Sequence, residues 1–103
     1  MSTLSTHVLD TALGRPAVGV PVRLHDASGD NLDESVTDGD GRVSSLGGEL
    51  PAGTYTLRFD VAVYRAGGFY PEVCVTFDVA ADQAHYHVPL LLSPYGYSTY
   101  RGS

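Results

Sequence analysis

The sequence has one cysteine, no tryptophan and no lysine, and only 17% of its residues are charged. A single cysteine, Cys74, excludes an intrachain disulfide and any zinc site built from several thiolates. No apolar run approaches the roughly 18–20 residues that a membrane-spanning helix needs. The first four residues lack the basic start and apolar stretch of a secretory signal. From these absences we expect a cytoplasmic protein without disulfides.

The charge balance argues against two classes of partner. The chain has six arginines and twelve acidic residues, which gives a net charge of −6. Nucleic acids and anionic membrane surfaces are bound through clustered cations, so neither is expected as a partner. A length of 103 residues with 43% hydrophobic residues predicts one globular domain spanning residues 1–103.

Alternation of apolar and polar residues dominates the chain and is typical of half-buried β-strands. Near the start, Leu4, Thr6 and Val8 share one side of the predicted strand, and His7 lies on the other. Seven or eight such runs, separated by turn residues, predict a β-sandwich. A short helix is predicted over residues 60–66, with Asp60 as its N-cap.

The sequence His85-Tyr86-His87 is the most suggestive local pattern. Residues two apart on a strand point the same way, so both imidazoles are predicted to share one face. That arrangement suits a pair of proton-transfer groups, a metal site, or two ordinary exposed histidines. The tripeptide alone leaves the three interpretations open.

Other candidates are weaker when taken singly. His7 and His25 are each predicted to face away from the core, where an isolated histidine usually has no special role. Arg42 follows the tight turn 38–41, from which it can act as a planar clamp for carbonyls or anions, or lie exposed in a loop. Cys74 has no signature of a nucleophile and is interpreted as structural.

Two segments carry a resemblance to a known family. The opening residues 4–10, Leu-Ser-Thr-His-Val-Leu-Asp, resemble the first signature of the transthyretin-like proteins. Residues 93–99, Ser-Pro-Tyr-Gly-Tyr-Ser-Thr, resemble their closing signature. The resemblance covers the whole chain. It implies an all-β sandwich of two four-stranded antiparallel sheets with one short helix, assembled as a homotetramer from two dimers.

Four features resemble the enzyme branch of that family, the 5-hydroxyisourate hydrolases, more than the hormone carriers. They are His7 in the first strand, Arg42 after the Asp-Gly turn, the pair ending in His87, and the closing residues 100–103. The resemblance implies that His7, Arg42 and His87 are catalytic. It implies that His7, Arg42, Tyr100 and Ser103 bind the substrate, 5-hydroxyisourate, in a channel between dimers, with no metal and no cofactor.

Two alternatives remain at this stage. One is a carrier that binds a small ligand in the same channel without catalysis. The other is a zinc hydrolase that uses His7, His85 and His87, because three histidines are a common catalytic zinc set.

Overall fold

The fold was determined as a computed structural model that describes residues 1–102. Within that range, the elements in chain order are β1 (Thr3–Asp10), β2 (Arg15–Pro16), β3 (Pro21–His25), β4 (Asn31–Val36), β5 (Arg42–Val43), β6 (Gly53–Asp60), α1 (Val61–Tyr64), β7 (Glu72–Val79), β8 (His85–Leu92) and β9 (Tyr97–Thr99).

The strands form two sheets packed face to face. One has the strand order β4-β3-β6-β7 and is antiparallel throughout. The other has the order β2-β1-β8-β9, with β5 paired to β1 as a fifth strand. The sandwich with one short helix confirms the predicted fold class. Its second sheet differs in two details, since it has five strands and its central pair, β1 and β8, is parallel.

The core lies between the inward faces of the two sheets. Along β1 every second residue is buried, and Leu4, Thr6 and Val8 point inward as their alternation predicts. They meet apolar side chains from the other sheet, of which Phe59 is the largest that is fully buried. Burying a side chain of this kind stabilises the fold by roughly 1.5–3 kcal/mol. Because Thr6 and Val8 point inward, their neighbour His7 must point outward.

A buried carboxylate joins the end of β1 to the helix. The Asp10 side chain accepts hydrogen bonds from the backbone N–H groups of Ala12 and Leu13, from the Tyr64 hydroxyl and from the Arg65 guanidinium. Burial alone would raise the pKa of Asp10, but the hydrogen bonds from Tyr64 and Arg65 outweigh it and lower the pKa. The carboxylate therefore stays ionised although it is buried.

The helix is shorter than the sequence predicts. It covers only Val61–Tyr64, and the Asp60 side chain makes no capping hydrogen bond. Arg65 already has extended backbone dihedrals, with its side chain on Asp10. No helix within residues 1–102 has the length and apolar character needed to cross a membrane.

Candidate active site

Two neighbouring strands place His7 and Arg42 side by side on the outward face of the five-stranded sheet. The two residues are directly paired in the antiparallel register of β1 and β5. The turn before Arg42 is held by the Asp38 carboxylate, which accepts hydrogen bonds from the backbone N–H groups of Asp40 and Arg42. These backbone bonds hold the pKa of Asp38 below its usual value. The turn therefore fixes the point from which Arg42 projects.

Gly41 is required at this turn because its φ is +74° and a Cβ there would lie 2.5 Å from the Val8 carbonyl oxygen. The Gly41 carbonyl in turn accepts a 2.7 Å hydrogen bond from the Val8 N–H, which fastens the turn to β1.

The tautomer of neutral His7 follows from its hydrogen-bond partner. His7 Nε2 lies 2.8 Å from the backbone carbonyl oxygen of Asp40. A carbonyl oxygen only accepts hydrogen bonds, so Nε2 carries the proton and donates it. Neutral His7 therefore keeps its free lone pair on Nδ1, the ring nitrogen available to take up a proton.

His85 and His87 reach the same face from β8. The parallel register pairs Thr3 with His85 and Ser5 with His87. Ser5 Oγ lies 2.7 Å from His87 Nδ1 and 2.9 Å from His85 Nε2, and Thr3 Oγ1 lies 2.6 Å from His85 Nδ1. Neither Thr3 nor Ser5 is among the site residues predicted from the sequence. Strand alternation puts them on the His7 face, but nothing in the sequence pairs β1 with β8.

His87 is half-buried in a cationic neighbourhood. Its pKa is lowered, first by burial and then by the charges of Arg42, His7 and His85. His87 is therefore neutral at pH 7 and able to accept a proton. The three residues expected to be catalytic, His7, Arg42 and His87, thus come together from three strands on one outward sheet face.

The end of the chain packs directly against His87. The Gly102 N–H donates a 2.8 Å hydrogen bond to the His87 carbonyl oxygen. A Cβ on Gly102 would lie 2.6 Å from His87 Cδ2, so the His87 ring leaves no room for any side chain at residue 102. Gln83, His85, His87, Arg101 and Gly102 line one open pocket.

The remaining two predicted site residues are Tyr100 and Ser103. Tyr100 is exposed and lines a separate, mostly apolar pocket between β7, β8 and the last residues of the chain, with Phe77 and Val88 among its walls. Ser103 lies outside the described residues. In the sequence, Tyr100 and Ser103 are linked to the histidines only by the family resemblance.

The histidines do not form a three-ligand metal site. Among residues 1–102, no three His, Cys, Asp or Glu side chains come together in a metal-ligating arrangement. Both ring nitrogens of His85, and Nδ1 of His87, are already hydrogen-bonded to hydroxyl groups.

Comparison with known proteins agrees with this architecture. The model of the HIUase/Transthyretin family matches residues 4–102. The chain belongs to the HIUase/Transthyretin family. Within it, the chain is 49% identical to 5-hydroxyisourate hydrolase 2 of Rhizobium meliloti, over 97% of this chain and 95% of that protein.

Solved structures of both branches of the HIUase/Transthyretin family superpose on the chain. The 5-hydroxyisourate hydrolase of Klebsiella pneumoniae is 41% identical, covers 100% of both chains and has a TM-score of 0.90. Sea bream transthyretin, solved in complex with thyroxine, is 32% identical over 96% of this chain and 93% of its own, with a TM-score of 0.87.

Proposed function

We propose that this chain hydrolyses 5-hydroxyisourate in urate breakdown, opening the six-membered ring at its N1–C6 amide. The product would be 2-oxo-4-hydroxy-4-carboxy-5-ureidoimidazoline. One observation carries the proposal, namely the convergence of His7, Arg42 and His87 on one sheet face. Relatives that bear the hydrolase name, at 41–49% identity over nearly the whole chain, support the choice of substrate.

Arg42 is the group suited to bind the substrate. The substrate is planar and rich in carbonyl groups, and a guanidinium offers a planar fork of donors that matches two such oxygens. As the amide carbonyl is attacked, negative charge develops on its oxygen, and a fixed cation beside it stabilises that charge.

The two histidines are suited to activate a water molecule. Neutral His7 offers Nδ1, and neutral His87 can offer Nε2 because Ser5 lies on its other nitrogen. Either can take the proton of the attacking water and, as the resulting imidazolium, give it to the leaving nitrogen, while the other orients the water. No covalent nucleophile and no cofactor enter this mechanism.

We extend the proposal to the family's assembly, a homotetramer with its sites in the channel between dimers. There Tyr100 and Ser103 would shape the pocket and hold the substrate. We propose a cytoplasmic location. Size-exclusion chromatography with light scattering tests the assembly, and a monomer that is fully active would refute this extension.

The decisive experiment follows the ultraviolet absorbance of freshly made 5-hydroxyisourate with and without protein. The protein is expected to accelerate its decay, and His87→Ala is expected to lower kcat by roughly 10²-fold, the scale for losing a positioned acid or base. His25→Ala is the matched control, because His25 lies on β3 in the other sheet. Equal losses in the two variants would contradict the assignment of the site.

The same experiment separates the rival functions. A carrier of the kind represented by thyroxine-bound transthyretin would bind ligand in the channel without accelerating the decay. A zinc hydrolase would contain stoichiometric metal by elemental analysis and lose activity on chelation. The proposed mechanism instead expects full activity after chelation.

A further inference from the structure

A continuous series of hydrogen bonds runs behind His87, and only its Ser5–His87 contact enters the mechanism above. It links His87 Nδ1 to Ser5 Oγ, Ser5 Oγ to His85 Nε2, and His85 Nδ1 to Thr3 Oγ1, with distances of 2.7, 2.9 and 2.6 Å. All four side chains lie on the outward face because the parallel register sets Thr3 opposite His85 and Ser5 opposite His87.

The number of protons on these side chains fixes which group donates and which accepts in each hydrogen bond of the series. The Ser5 hydroxyl has one proton, so it donates to one imidazole and accepts from the other. When His87 holds its proton on Nδ1, Ser5 accepts that proton's hydrogen bond and donates to His85 Nε2. His85 then holds its own proton on Nδ1, facing Thr3. In this state His87 Nε2 has a free lone pair and can act as a base.

We propose that Ser5 and His85 are positioning residues that form a proton relay behind His87. His87 Nε2 takes a proton from the attacking water, and His87 Nδ1 passes its proton to Ser5 Oγ. Ser5 passes its original proton to His85 Nε2. No proton is gained or lost within the relay: the positive charge moves from His87 to His85, and His87 is left neutral with its proton on Nε2. This inference rests on the proposed function.

The electrostatics favour this direction of transfer. His87 is half-buried and lies near the charges of Arg42 from β5 and His7 from β1, while the Arg101 guanidinium of the C-terminal segment lies over the Tyr86 ring. A positive charge on His87 is repelled by these groups and poorly solvated. His85 is exposed, so water solvates its charge, and it can release the extra proton to solvent. When the proton instead returns through Ser5 to His87 Nδ1, His87 is again an imidazolium and can give its Nε2 proton to the leaving nitrogen.

The relay is tested by Ser5→Ala and Ser5→Thr, with ¹⁵N NMR of the imidazoles beside steady-state kinetics. Ser5→Ala removes the linking hydroxyl, and we expect kcat to fall roughly 10- to 100-fold, the scale for partners that orient functional histidines. KM is expected to change little. Ser5→Thr keeps a hydroxyl and is expected to retain kcat within about threefold. Thr56→Ala, which removes an exposed hydroxyl from the other sheet, is the matched control and is expected to behave as the unaltered protein.

The NMR readout does not depend on hydrolysis. In the unaltered protein, neutral His87 is expected to carry its proton mainly on one ring nitrogen. In Ser5→Ala the two His87 tautomers should mix. Unchanged tautomers, or an unchanged kcat, would overturn the relay. If the unaltered protein does not accelerate hydroxyisourate decay, the proposed function fails, while the NMR comparison still decides whether Ser5 fixes the His87 tautomer.

Discussion

Replacing Gly102 by alanine is expected to damage catalysis with little effect on the fold. The added Cβ would lie 2.6 Å from His87 Cδ2 and 3.2 Å from His87 Cβ and Cγ. The optimal van der Waals separation of two carbon atoms that are not bonded to each other is about 3.5–4.0 Å. The φ of Gly102 is not in the left-handed region, so alanine fits the backbone itself. The clash is therefore confined to the His87 side chain, and it is closest at the imidazole ring.

The size of the effect follows from this overlap. To restore ordinary contact, the ring and the chain end must separate by about 1 Å. The ring is also tied to Ser5 by a 2.7 Å hydrogen bond, which such a movement breaks or bends. A misplacement of about 1 Å in a reacting group lowers rates by about 10²-fold. We expect a loss of that order in kcat. The free energy of unfolding should change by less than about 1 kcal/mol, because the chain end closes few core contacts.

The absorbance assay and urea unfolding together test this prediction. Gly96→Ala is the matched control, since a Cβ at Gly96 meets nothing within 4 Å and its φ is not in the left-handed region. It should leave both activity and stability unchanged. A Gly102→Ala protein that keeps kcat within threefold of the control would refute the argument that this glycine sets the position of His87.

Three further predictions concern the support of the site and of the fold. Asp10→Asn is expected to lower the free energy of unfolding by about 2 kcal/mol, the scale for lost hydrogen bonds to a charged group. Because the folded pKa of Asp10 is lowered, its contribution is present above the ordinary pKa of about 3.9 and is lost as the pH falls further. Urea unfolding should therefore show a smaller difference from the unaltered protein at pH 3 than at pH 7. Gly41→Ala should destabilise the fold by about 1–3 kcal/mol and lower kcat/KM, whereas Gly39→Ala, where a Cβ meets nothing, should do neither. Arg42→Lys should lower kcat/KM at least about tenfold, because an ammonium cannot form the two-pronged contact; near-native activity would show that positive charge alone is enough.

Much of the fold could be predicted from local pattern. The alternation in β1 fixes which face His7 is on. Turn residues locate the strand ends. The short helix was predicted too long because its C-terminal side is decided by a distant partner, the carboxylate of Asp10, which holds Arg65 in an extended conformation.

The site was predictable only in part, because the local sequence does not determine which strands pair with each other. His7, Arg42 and His87 were found from residue type and family resemblance. The hydroxyl of Ser5 belongs to the site only through the register of β1 on β8. The close fit of Gly102 against His87 likewise depends on where the chain end crosses β8. Both contacts join residues whose backbones meet only after folding.

The parallel pairing of β1 with β8 also has a consequence for the timing of synthesis. Ser5 and His87 are 82 residues apart, so a ribosome adding about 5–20 residues per second makes β1 roughly 4–16 seconds before its partner. During that interval β2 and β5 can pair with one edge of β1, but the edge that will carry β8 has open N–H and C=O groups. The unpaired backbone groups of such an edge can form hydrogen bonds with strands of other chains. The nascent protein is therefore most exposed to misassembly just before its last strands emerge, and crowding of ribosomes on one message should increase that risk.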